Sequence, residues 1–238
     1  MKIGYTNLIS SEVQNTGNLV RSQSISGRKL SMIIAPGCEK TRGWAQKDNL
    51  KSFFKFTDAE KSEGRNLFSV AAADDFGFGA FTLEDYGTDQ IITTDMDDID
   101  LLWKKGFHIT AVCTWSFDFY FVMTKGVEEF VGKAQTWHFS SSWSSVEKQI
   151  RKGWENKVIT GLCFSAKTEK YLLVLTESDA GQSYKWDISA KYLNDKSSKG
   201  YQPTIVFHDL TNDRVLTVLT TGKGKSNTYM RLRHPLET

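Results

Sequence analysis

One segment of the chain, residues 99–126, recurs in related form at residues 146–178. Each copy combines an amphipathic stretch, a first strand, and a second strand that ends in a turn. A unit of this kind cannot bury its apolar side chains alone, so it must pack against its neighbours. The repeat therefore constrains the fold more than any other feature of the sequence.

The pattern can be matched to the chain five times. Each match also includes a third strand, and in several of them this strand carries Gln and an aromatic residue. The matches at the two ends of the chain are weaker than those between them. We predict a single repeat domain over residues 1–238, with units at residues 17–63, 64–105, 106–152, 153–199 and 200–233.

The elements within a unit follow from residue type and spacing. Short runs rich in β-branched and aromatic residues predict the strands. Ile99, Leu102 and Trp103 have the i, i+3, i+4 spacing of one helical face, and Gly106 follows where a helix end favours glycine. The same patterning predicts helices over residues 49–63, 96–105 and 144–152, and a corresponding segment follows at residues 188–199.

Three or four strands per unit, five times over, favour an all-β fold: a β-propeller-like ring of about five repeats with a short helix in several units. An open α+β stack of the same units is the alternative. We expect residues 1–16 to complete the last unit and close the ring. Deletion of residues 1–12 should then unfold the protein cooperatively.

Composition limits the classes of partner. The formal net charge of +2 favours neither nucleic acid nor a membrane surface. The odd set Cys38, Cys113 and Cys163 has no metal-ligand spacing and is typical of reduced thiols. The N-terminus lacks the apolar core of a signal peptide, and no apolar run approaches the ~18 residues of a spanning helix. We therefore expect a cytoplasmic or nuclear protein.

No constellation of residues predicts catalysis. Asp75, Phe76 and Gly77 spell the metal-binding tripeptide of protein kinases, but the glycine-rich loop, strand lysine and His-Arg-Asp loop are missing. The four histidines share no short metal-ligand spacing. We expect no enzymatic activity, no metal and no cofactor.

Two pairs of residues in the third strands are candidate binding groups: Gln135 with Trp137, and Gln182 with Tyr184. If each aromatic ring faces a groove and each glutamine its rim, the pairs would form repeated pockets for sugar rings or peptide side chains. If both are structural, the rings pack between neighbouring units. We favour packing, because buried rings dominate core energetics.

Part of the repeat resembles a known family. Residues 103–110 read Trp-Lys-Lys-Gly-Phe-His-Ile-Thr, and residues 121–126 read Phe-Val-Met-Thr-Lys-Gly. This pattern resembles the repeat region that follows the kinase domain in plant and algal casein-kinase-one-like protein kinases. The match is strongest over residues 96–186, and the copy at Trp154 departs from it by lacking the glycine and one residue. The resemblance implies a non-catalytic, protein-binding region.

These observations favour a non-enzymatic protein-interaction or scaffold module. The alternative is a lectin-like propeller that binds glycans or small ligands in aromatic pockets. A scaffold should have one large interface, whereas a multivalent lectin should have several equivalent weak sites.

Overall fold

A computed structural model of the chain describes residues 19–26, 29–35, 44–73, 77–154, 156–209 and 214–221. This part of the chain is mostly β-sheet, in small antiparallel sheets with few helices. The expectation of a β-rich fold is confirmed at this level. The segment predicted to close the ring, residues 1–16, lies outside the described residues.

The described strands form five sheets, each built around one hairpin. The first sheet has two described strands, and each of the others has three. In chain order the sheets contain β1 (Leu19–Ser26) and β2 (Lys29–Ala35); β3 (Trp44–Lys47), β4 (Arg65–Ala73) and β5 (Gly77–Glu84); β6 (Asp89–Thr93), β7 (Phe107–Trp115) and β8 (Asp118–Lys125); β9 (Gln135–Ser140), β10 (Lys157–Ser165) and β11 (Lys170–Glu177); and β12 (Gln182–Trp186), β13 (Tyr201–Asp209) and β14 (Arg214–Thr221).

Helices occupy the three predicted helical segments and also the segment at residues 188–199. Three of the four begin at an Asn or Ser whose side chain accepts a hydrogen bond from the first turn, as N-caps do. The second has three aspartates in its first turn instead, where the helix dipole favours negative charge. The helices are α1 (Leu50–Ser62), α2 (Asp97–Lys104), α3 (Trp143–Gly153) and α4 (Ala190–Ser198).

The sheets group the strands differently from the predicted units. In the fourth sheet β11 lies in the middle and pairs antiparallel with both β9 and β10. β9 and β10 therefore run parallel on either side of β11, and the chain crosses from one to the other through α3. The predicted units placed each third strand and its helix with the preceding hairpin, whereas the sheets join them to the following one. Periodicity shows which side chains are buried but not which neighbour buries them.

The core lies between successive sheets. Val146 and Ile150 of α3 pack in one cluster with Leu173 of the fourth sheet and Leu216 and Val218 of the fifth. The clusters around α1 and α2 likewise contain residues of the helix, its own sheet and the next sheet. Each of these three helices thus stabilises two sheets, as expected of units that cannot fold singly.

The first strands of the hairpins lie side by side in chain order: β1, β4, β7, β10 and β13. β1 also lies beside β13. Gly161 of β10 permits the close approach to β7, because a Cβ atom there would come within 3.1 Å of the Val112 side chain. Contacts between neighbouring first strands consequently hold the sheets together.

Candidate binding surface

The Gln135 side chain joins the fourth sheet to the third. Its Nε2 donates to the carbonyl oxygen of Ile109 at 3.0 Å and to the hydroxyl of Thr176 at 2.9 Å. Its Oε1 accepts from the main-chain nitrogen of Ile109 at 2.7 Å. Ile109 belongs to β7 and Thr176 to β11, so the amide is held between two sheets and both of its hydrogens are used inside the protein.

Gln182 and Gln90 make the same set of bonds at the neighbouring junctions. Gln182 bonds both main-chain groups of Ile159 and the hydroxyl of Thr220. Gln90 bonds both main-chain groups of Leu67 and the hydroxyl of Thr124. We call these three residues the junction glutamines. Gln90 was not among the predicted site residues, although it too opens a third strand.

A β-bulge explains why these main-chain groups are available. The ladder of each hairpin shifts register directly after the residue that the glutamine binds, for example between Ile109 and Ala111. A bulge leaves one residue unpaired and disturbs the ladder locally. Three bulge residues are threonines whose hydroxyls pair with a threonine of the second strand: Thr110 with Thr124, Thr160 with Thr176, and Thr204 with Thr220.

The predicted aromatic partners lie against the core. Trp137 is half-buried and its ring centroid lies 6.2 Å from that of Phe121 in the third sheet. Tyr184 packs 6.3 Å from Trp143 and its hydroxyl donates to Glu147 at 3.4 Å. Burial, together with the nearby Glu147 carboxylate, raises the pKa of the Tyr184 hydroxyl. The arrangement favours the packing interpretation over a repeated groove.

The two tryptophans of the repeat motif differ in their surroundings. Trp103 is half-buried, and its indole nitrogen donates to Oε1 of Gln135 at 3.3 Å. Trp154 is 43% exposed and meets Tyr184 edge-on, with the ring centroids 5.8 Å apart. Among the described residues, no hydrogen bond joins Trp154 to Gln182. One repeat therefore places its tryptophan inside, and the next places it on the surface.

Cationic side chains surround the exposed tryptophan and the strand beside it. Arg151 lies next to the Tyr184 hydroxyl. Lys185 lies 4.4 Å from the ring centroid of Tyr192, and Lys196 lies 5.7 Å from the same centroid. We call Arg151, Trp154, Tyr184, Lys185, Tyr192 and Lys196 the β12 surface, since they lie around that strand.

The cysteines are not candidate nucleophiles. Cys113 is buried and Cys163 half-buried, at matching positions of successive repeats, as predicted for core residues. Burial raises the pKa of the Cys113 thiol to about 12 and raises that of Cys163 well above its usual value. Both thiols are therefore protonated near neutral pH. Cys38 lies outside the described residues.

The side chains of His108 and His138 are half-buried. Burial lowers the pKa of His108, and burial with the nearby Lys157 and Lys152 lowers that of His138. In the described ranges, no three His, Cys, Asp or Glu side chains are grouped so that they could hold a metal ion. None of the helices described there combines the length and apolar content needed to cross a bilayer.

Comparison with known proteins assigns no family. No family model matches the chain, and no curated protein matches it either. The resemblance to the region after the kinase domain of casein-kinase-one-like kinases stays a prediction. Function has to be argued from the geometry and chemistry of the surface.

Proposed function

We propose that the chain is a non-enzymatic protein-interaction module whose five repeats form a closed, propeller-like ring. The order of the first strands supports closure, because β1 lies beside both β4 and β13. A ring also gives both faces of every sheet a neighbour. Residues 1–16 stay the predicted closing segment.

The junction glutamines support a rigid module. Each bonds two main-chain groups of the preceding hairpin and a hydroxyl of its own sheet, so at each junction two hydrogen bonds join successive sheets and a third anchors the amide to its own sheet. A rigid surface loses little conformational entropy when it binds. The repeats are therefore suited to present a preformed surface to a partner.

The exposure of Trp154 beside Tyr184 is the observation that carries the proposal. Tryptophan, tyrosine and arginine are enriched at the energetic centres of protein interfaces. Trp154 and Tyr184 lie together, with Arg151 next to them. The Gln182 amide of the same unit is hydrogen-bonded inside the protein. Trp154 and its neighbour Tyr184 are therefore left to contact a partner.

A glycan is the second candidate ligand, because an exposed indole can stack on a sugar ring. Sugar recognition also needs polar side chains around the aromatic face. The amide hydrogens of Gln182 that would serve this purpose are bonded to Ile159 and Thr220. The proposal therefore favours protein over glycan.

Affinity capture distinguishes a protein partner from a glycan ligand. The purified chain, immobilised, is exposed to lysate of its own source and washed in turn with free sugars, salt and denaturant. We expect one protein, bound in fixed ratio, that salt or denaturant releases and that the Trp154→Ala variant fails to retain. The Phe117→Ala variant is the matched control, since Phe117 is 62% exposed elsewhere. Release of many glycoproteins by a simple sugar would instead identify a lectin.

A further inference from the structure

β12 is an edge strand of the fifth sheet. The sheet has the order β12, β14, β13, and within the described residues no strand pairs with the outer side of β12. An open edge presents unpaired main-chain groups and is a template for an added strand. Such an addition is a recognised mode of peptide binding.

The hydrogen bonds that flank β12 show which main-chain groups are open. Thr221 donates from its main-chain nitrogen to the carbonyl of Gly181 at 2.8 Å, and Asp187 donates to the carbonyl of Val215 at 2.8 Å. Gly181 and Asp187 therefore direct their main chain toward β14. Because this direction alternates along an antiparallel strand, the main chains of Tyr184 and Trp186 point away from the sheet.

The two faces of β12 differ in chemistry. Tyr184 lies on the face covered by α3 and meets Trp154, so that face is aromatic. Glu147 and Arg151 lie at the Tyr184 hydroxyl on the same face. Lys185 and Ser183 lie on the face covered by α4, where Lys185 lies over the Tyr192 ring. That second face is cationic.

Two acids of this region pair with other cations among the described residues. Asp195 pairs with Lys199 at 2.9 Å, and Asp187 pairs with Arg214 at 2.8 Å. In the described part of the chain, neither Lys185 nor Lys196 pairs with a carboxylate. Lysines at a sheet edge oppose pairing with neutral or basic strands. An acidic strand would neutralise them.

We propose that the outer edge of β12 binds an extended acidic segment of another protein as an added strand. Alternate residues of that segment are apolar and pack on Trp154, while the residues between them are Asp or Glu and face Lys185 and Lys196. The proposal rests on the protein-interaction function and names its surface and partner chemistry.

The corresponding edges at β6 and β9 do not offer the same combination. Beside β6, the ammonium group of Lys61 bonds both Asp89, at 2.7 Å, and the carbonyl oxygen of Gln90, at 2.9 Å. Beside β9, the matching tryptophan is Trp103, which donates to Gln135. Of these three edges, that of β12 alone combines an exposed tryptophan with lysines that pair with no carboxylate among the described residues.

A displayed library of random eight-residue peptides, selected against the full chain, tests the proposal. We expect the selected peptides to alternate apolar and acidic residues. The best synthetic peptide should slow hydrogen exchange of the Tyr184 and Trp186 amides. Lys185→Glu/Lys196→Glu should weaken its binding by at least about tenfold, because two attractions become repulsions. Lys104→Glu/Lys105→Glu is the matched control: it makes the same change in net charge at exposed residues at the end of α2 and should change binding by less than about twofold.

Several results would overturn the proposal: no enrichment, enrichment without alternation, unchanged exchange at Tyr184 and Trp186, or equal binding by both double variants. Thermal melts of the variants establish that each is folded. The lysate capture distinguishes failure of the β12 edge proposal from failure of the protein-interaction function. A protein retained equally by the wild type and by Lys185→Glu/Lys196→Glu would uphold the interaction function and refute the β12 edge, whereas an empty column together with no selected peptide would refute both.

Discussion

The third and fourth repeats use the same residue types in opposite ways. In the third, Trp103 is half-buried and donates to Gln135, whose Oε1 thereby accepts two hydrogen bonds. In the fourth, Trp154 lies on the surface and Gln182 bonds only Ile159 and Thr220 among the described residues. The comparison teaches that a repeat can stay intact as a structural junction while one copy leaves its aromatic side chain exposed.

The helix ends explain the difference. Trp103 lies in the last turn of α2, and Lys105 and Gly106 follow before β7 begins. Gly106 has φ +82°, a left-handed conformation that glycine adopts without strain. Trp154 lies just beyond α3 and is separated from β10 by one residue fewer, with no glycine. The shorter connection places the indole outside.

Replacement of the junction glutamines should have the largest effect. Gln135→Leu leaves both main-chain groups of Ile109 without their partner in a buried position and removes one of the two partners of the Thr176 hydroxyl. Unpaired buried polar groups are costly, so we expect the free energy of unfolding to fall by about 3 kcal/mol. Gln182→Leu should cost about 1 kcal/mol, because Gln182 is only half-buried and water can replace it. Urea denaturation measures both, and equal losses would remove the contrast between the junctions.

Replacement of the tryptophans should give a smaller difference in the same direction. Trp103→Phe loses the bond to Gln135 and part of its packing, and we expect a loss of about 1 kcal/mol. Trp154→Phe should change stability by less than about 0.5 kcal/mol, as at other surface positions. Thermal unfolding of the two variants side by side provides the measurement. A Trp154 variant that is the more destabilised would show that this ring is structural.

The smallest effect concerns pH. Burial, followed by Lys157 and Lys152, lowers the pKa of His138 in β9, whereas no histidine lies in β12. A depressed histidine pKa means that the unfolded chain binds the proton first, so stability falls as pH decreases below about 6.5. We expect amide exchange in β9 to accelerate relative to β12 on acidification from pH 7 to pH 5. His138→Gln should remove the difference, and an unchanged difference would assign it to another group.

Sequence reasoning located most elements but not their partners. The spacing of Ile99, Leu102 and Trp103 predicted α2, and Ile99 and Leu102 are buried in its cluster. The matching positions of Cys113 and Cys163 were likewise read as core. The pairing of Gln135 with Ile109 could not be predicted, because a bulge changes register without a sequence signature and the two residues belong to different sheets.

Part of the β12 surface could likewise be predicted from the sequence. The missing glycine and residue at Trp154 were visible in the sequence, and Gln182 and Tyr184 were selected as candidate groups. Exposure of Trp154 follows from where a helix ends and how long its connection is, and these depend on packing against two sheets. A repeat pattern alone does not carry that information.

Hydrogen exchange of the tryptophan indole N–H groups, followed by NMR on the ¹⁵N-labelled protein, tests the central contrast most directly. We predict that the Trp103 indole hydrogen exchanges at least about tenfold more slowly than that of Trp154, because only Trp103 donates to a junction glutamine. Equal rates, or slower exchange at Trp154, would contradict the assignment of one tryptophan to the interior and the other to the binding surface.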